Sequence, residues 1–159
     1  MFEPKEIVYG TVVKLGFYQP RAKYLITIYR DDNLNIFACF TTSKQRSGVT
    51  DELLGHGPVI KDGRYLSYVF HPDVNIGVDP ETGEPFSMPR LSVITFDYGL
   101  REGQLSQFNE GIQDSKVVCR LYDEEYINLV YAMYKSDVTP RRYKPCLEKV
   151  LTDFYSANS

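Results

Sequence analysis

Apolar and polar positions alternate with a short period over most of this chain, and only its last forty or so residues change to a longer one. Residues 7–15 (IVYGTVVKL) are rich in β-branched side chains and read as a strand. Gly16 and Pro20 punctuate a loop over residues 16–23, and residues 24–29 (YLITIY) form a second strand. Asp31-Asp32-Asn33 is strong turn chemistry, so residues 36–40 should return beside the second strand as a hairpin. Further strands are predicted at residues 65–70 (YLSYVF), 91–96 (LSVITF) and 115–121 (SKVVCRL). Between them, residues 47–63 and 97–113 read as polar connections, the first with turns at Gly55-His-Gly-Pro and Lys61-Asp-Gly. Residues 71–89 read as a hairpin tip or a mobile loop, because their proline density keeps them out of any central strand.

From Asp123 the period becomes helical. Ile127, Val130, Tyr131 and Tyr134 recur on one face, Asp123 can cap the N-terminus, and Glu124 and Glu125 suit its positive end. Pro140 interrupts the pattern. Pro145 can sit in the first turn of a second helix, whose apolar face is Leu147, Val150, Leu151 and Phe154. Helices are therefore expected at about 123–135 and 145–156. Short strands followed by helices predict a mainly β, α+β fold: a single domain over 1–159, built as a small twisted barrel or open sheet with C-terminal helices.

Composition narrows the function classes. Hydrophobic residues at 43% and charged residues at 25% suffice for an ordinary core. Tyrosine dominates the aromatics, which fits strands and half-wet surfaces. A net charge of −3 gives no global positive field, so any nucleic-acid binding must use a local basic patch. No apolar run approaches the roughly 20 residues that span a bilayer. The start MFEPKEIVYG lacks a basic segment followed by an apolar one, so no signal peptide is expected. Three scattered cysteines, Cys39, Cys119 and Cys146, suit a reducing cytoplasm, with Cys39 as a small core residue.

His56 and His71 are the only histidines, and neither CxxC nor HxxxH spacing occurs, so neither metal nor cofactor is expected. A GxSxG elbow and a GxxxxGK[ST] loop are also missing. One stretch stands apart. FACFTTSKQR begins as a buried strand and ends in three hydroxyls, Thr41, Thr42 and Ser43, followed by Lys44, Gln45 and Arg46. If the hairpin forms, Arg21 lies at the same rim as Thr41. A guanidinium beside hydroxyls can hold a phosphate through paired hydrogen bonds. RNA brings its own nucleophile, the 2′-hydroxyl, so its cleavage needs neither metal nor cysteine. The same residues are also common at solvated strand ends, and Tyr18, Tyr24, Tyr65 and Tyr68 serve packing as readily as base stacking.

Three segments resemble the MazF/PemK family of bacterial toxins from toxin–antitoxin pairs: Pro20-Arg21 leading to YLITIYRDD, IFACFTTSKQR, and LSVITFDYGLREGQLSQF followed by DSKVVCRLYDEEYINLVYAMY. They cover about half the chain. The family's usual arginine–proline pair is here Pro20-Arg21, and residues 47–63 and 71–89 are long. The resemblance implies a small SH3-like β-barrel, a homodimer, and metal-independent cleavage of single-stranded RNA, neutralised by a cognate antitoxin protein. It implies catalytic roles for Arg21 and for Thr41 or Thr42. Gln19, Ser43, Lys44 and Arg46 would then bind the substrate. The alternative is a non-catalytic SH3-like module that binds protein or nucleic acid.

Overall fold

The computed structural model describes residues 1–43 and 55–158. Among them, the chain runs β1 (Glu6–Val12), β2 (Arg21–Arg30), β3 (Asn35–Phe40), β4 (Gly57–Lys61), β5 (Arg64–Phe70), β6 (Gly77–Val78), β7 (Pro85–Phe86), β8 (Ser92–Thr95), β9 (Leu100–Gln104), α1 (Leu105–Gly111), β10 (Ile112–Leu121), α2 (Asp123–Lys135) and α3 (Lys144–Ala157). A seven-stranded sheet has the order β7-β6-β10-β1-β2-β3-β9, and a three-stranded sheet has the order β4-β5-β8. The pairings are antiparallel. The fold is thus mixed α+β with two open sheets, and neither strand order closes on itself.

The long sheet is covered on both faces, which explains why β1 to β3 read as nearly continuous apolar runs. One face sends Ile7, Ile26, Ile28, Phe37 and Cys39 into the larger core, where Tyr68, Phe70, Ile94 and Phe96 of the second sheet meet Leu129, Val130 and Met133 of α2 and Leu147 of α3. The other face sends Val8, Leu25, Ile36, Ala38 and Phe40 against Phe2, Phe108 of α1 and Ile112. Successive residues of one strand serve opposite cores, as the strand period requires.

The β2–β3 hairpin closes where its turn chemistry predicts. The Asp31 carboxylate accepts the backbone N–H of Asn33 and of Asn35, each at 2.9 Å. Leu34 takes the left-handed conformation at φ 64°. Lys61-Asp62-Gly63-Arg64 joins β4 to β5, with Asp62 at φ 54° and Gly63 at φ 74°, the positive pair that a tight hairpin demands. Residues 71–89 contain the two-residue strands β6 and β7 around Asp79, so this segment includes a hairpin tip. Pro85 lies in β7, the outermost strand, where its missing N–H costs no ladder bond. At Gly77 an added Cβ would sit 2.2 Å from the Arg120 carbonyl oxygen, so only glycine lets β6 lie against β10 there.

Some expectations change. Residues 97–113 are not merely a polar connection: they hold β9 and α1. β9 is an edge strand with alternating exposure, and α1 buries only Phe108 and Gly111, so their apolar signal is thin. β4 likewise emerges from the polar segment 47–63 as an edge strand with Pro58 inside it. Both predicted helices are present, with proline in the first turn of α3. Asp123 does not cap α2: Tyr122 is at that position, and Asp123, Glu124 and Glu125 fill the first turn.

Candidate functional site

The apolar run of β3 ends where the chain passes from one sheet to the other. Leu25 pairs with Phe40, and the Thr41 N–H donates to the Tyr24 carbonyl at 3.1 Å. One residue later the partner changes. The Thr42 N–H donates to the Val93 carbonyl at 2.8 Å, and the Val93 N–H to the Thr42 carbonyl at 2.7 Å. Thr42 and Val93 thereby form an isolated antiparallel bridge between the two sheets. A hydroxyl-rich segment suits this crossing, because side chains at a change of sheet face neither core fully.

Beside the crossing lies a cavity of about 390 Å³, lined by Thr41, Thr42, Ser43, Lys23, Arg90, Tyr9 and Tyr24, with Ala22 and residues 89, 91 and 92 completing it. Thr41 is 5% exposed, while Ser43 and Arg90 are open to solvent. The backbone beside Arg90 is pinned by Ser92, whose hydroxyl donates to the Arg90 carbonyl at 3.0 Å. Tyr9 and Tyr24 are register partners on β1 and β2, with ring centroids 4.5 Å apart. Burial pushes the Tyr24 phenol up, Tyr9 adds to this, and the Arg90 charge opposes it. Among the described residues the lining carries no carboxylate. In a chain of net charge −3, the described lining of this pocket thus combines hydroxyls with one guanidinium and one ammonium.

The residues expected to act together divide into three groups. Thr41, Thr42 and Ser43 line the cavity. Arg21 is the first residue of β2, exposed and paired in register with Val12. It lies at the expected end of the hairpin, three positions before Tyr24, but outside the cavity lining. Gln19 is exposed in the preceding loop and also outside the lining. Lys44 and Arg46 lie outside the described residues. Sequence reasoning passed over Lys23, Arg90 and Tyr9. Lys23 reads as the end of the loop over residues 16–23, Tyr9 sits inside an apolar alternation that reads as packing, and Arg90 comes from a distant segment with no local motif.

Two other clusters have different characters. The His71 N–H donates to Nδ1 of His56 at 3.0 Å, which places the proton of His56 on Nε2, 2.5 Å from Oε1 of Glu125. The Tyr68 hydroxyl donates to the same carboxylate oxygen at 3.0 Å. This network joins the residue before β4, the end of β5 and α2, so Glu125 serves as an anchor as well as a helix N-terminal charge. The thiols are poor nucleophiles: burial holds Cys39 well above its ordinary range and pushes Cys119 to about 12 and Cys146 to about 11. Among the described residues no group of three or more His, Cys, Asp or Glu is placed to hold a metal ion, and no helix is long and apolar enough to cross a membrane.

No protein-family model matches the chain, and no curated protein or solved structure matches it significantly.

Proposed function

We propose that the chain is a metal-independent endoribonuclease of the MazF/PemK type, cleaving single-stranded RNA at the cavity beside Thr41. The observation that carries this reading is the delivery of Thr41, Thr42 and Ser43 into a cavity that also holds Lys23 and Arg90 and, among the described residues, no carboxylate. In the reaction, the substrate's 2′-oxygen attacks the adjacent phosphorus. Its proton is lost, the bond to the 5′-oxygen breaks, and that oxygen takes up a proton. A 2′,3′-cyclic phosphate and a 5′-hydroxyl result. The Thr41 and Thr42 hydroxyls orient the phosphate oxygens, with Ser43 beside them. Arg21, exposed at the start of β2 and outside the lining, is assigned the stabilisation of the developing charge, and Gln19, Lys44 and Arg46 the RNA backbone. The two open sheets, bridged at Thr42 and Val93, are read as an opened form of the SH3-like barrel. The same reading makes the protein a cytoplasmic homodimer held in check by an antitoxin protein.

The test is incubation of the purified protein with a mixed RNA pool in EDTA, with cut ends mapped. Cleavage that leaves cyclic phosphates, falling roughly a hundredfold or more in Arg21→Ala, supports the reading. Intact RNA overturns it. A second reading, a binding module without chemistry, has one observation in its favour: the cavity lining is complete without Arg21. Under that reading RNA is retained and never cut.

A further inference from the structure

The cavity contains more than a phosphate needs. Beside its cations and hydroxyls stands Tyr9, which is 39% exposed although it lies in a central strand of the long sheet. The neighbouring strand supplies its support: the Tyr24 ring packs against Tyr9 at 4.5 Å, and Tyr24 itself packs against the larger core. Gly10 follows Tyr9, and an added Cβ there would meet Ile112 Cγ2 at 2.6 Å, so β1 and β10 are in close contact next to this ring. Tyr9 is therefore a partly exposed aromatic ring held by its neighbours rather than a mobile surface side chain. Arg90 lines the same cavity, its backbone carbonyl is held by Ser92, and its charge is felt at the Tyr24 phenol.

We infer that Tyr9 and Arg90 form one nucleotide subsite: Arg90 holds a backbone phosphate against the hydroxyls of Thr41 to Ser43, and the exposed Tyr9 ring takes the face of the adjoining unpaired base. This rests on the phosphate-handling reading of the same cavity and names the two residues by which it would select an unpaired strand with an unstacked base. A ring that is packed on one side offers its remaining surface to a flat partner at little entropic cost. A base within a duplex is stacked on both faces and cannot use that ring, so the subsite rejects double strands. Stacking is also tolerant of base identity, so Tyr9 sets strandedness rather than sequence.

The test uses an uncleavable probe, a fluorescent oligodeoxynucleotide, with binding followed by anisotropy at several salt concentrations. The wild-type protein should bind the single strand at least tenfold more tightly than the same sequence as a duplex. Tyr9→Ala should weaken single-strand binding by roughly tenfold and leave the weak duplex binding unchanged, whereas Tyr9→Phe should bind like wild type. Arg90→Ala should weaken binding and lower the slope of log affinity against log salt by about one, with Arg90→Lys restoring the slope. Circular dichroism melts establish that each variant is folded. Equal affinity of Tyr9→Ala and wild type, or equal affinity for single and double strands, overturns the subsite. RNA cleavage in EDTA is scored separately. Tyr9- and Arg90-dependent binding without cleavage keeps the subsite and removes the nuclease. Cleavage that neither substitution alters does the reverse.

Discussion

The two ends of the β2–β3 hairpin are built from the same pair of strands and use their polar groups in opposite ways. At the turn end, charge is spent on the fold. Asp31 accepts two backbone N–H groups and the Asn35 side-chain amide, all at 2.9 Å. Nearby, a cavity of about 420 Å³ contains a cation, Arg142, but the Glu102 carboxylate lies 3.1 Å from it and cancels its charge. At the open end, Lys23, Arg90 and three hydroxyl side chains line a cavity of similar size, with no carboxylate in its lining among the described residues. The difference teaches that size alone does not nominate a site. The composition of the lining does: two cations and, among the described residues, no carboxylate nominate the end at which β3 changes sheets.

Experiments that invert one end and spare the other break or sharpen this comparison. The largest effect is expected from Lys23→Glu, which puts a carboxylate into the open end. Single-strand affinity measured by anisotropy should fall by more than about tenfold. Unchanged affinity would mean that the sign of this cavity is irrelevant.

Next comes Asp31→Ala at the turn end, which should lower the urea midpoint at pH 7 while leaving nucleic-acid affinity intact. The Asn35 side-chain amide, then the backbone N–H of Asn35, hold the Asp31 carboxyl below the usual carboxylate range. A depressed carboxylate stabilises the fold above its unfolded pKa of about 3.9, and that contribution disappears as pH falls through the lower folded value. The gap between Asp31→Ala and wild type should therefore close on acidification, and a gap that widened would refute the assignment.

A smaller change is expected midway between the ends. Thr27 faces Ala38 across the hairpin, is fully buried, and has a hydroxyl without a hydrogen-bond partner among the described residues. Thr27→Val keeps the shape and removes the orphaned hydroxyl, so chemical denaturation should show a gain of about 1 kcal/mol. The smallest effect belongs to Glu102→Gln. It leaves Arg142 without its counter-charge at the turn end and should change single-strand affinity by less than about twofold. A larger gain would make the second cavity a competing anion site.

Much of the fold was legible because local and tertiary signals agree. Asp31 and Asn35 specify the turn, β-branched and aromatic apolar runs specify β1 to β3, and helical spacing from Ile127 onward specifies α2. Elements were missed where burial is one-sided or slight. β9 reads LREGQ and shows one polar face at a sheet edge, and α1 contributes little beyond Phe108 to a core. The site was half legible. Three consecutive hydroxyls at the end of an apolar run announce themselves, and hairpin pairing places them beside the start of β2. What else lines the cavity was hidden. Arg90 is nearly fifty residues away and reaches the cavity only because β8 bridges to Thr42, and Tyr9 reads as one more strand aromatic until its exposure is known.

The bridge between Thr42 and Val93 gives the molecule a seam, and the cavity opens directly on it. Whatever rests against Thr41 and Arg90 at once is gripped by both halves, like a rivet through two plates. Occupancy and cohesion must then rise together: a tight ligand delays melting of the whole body.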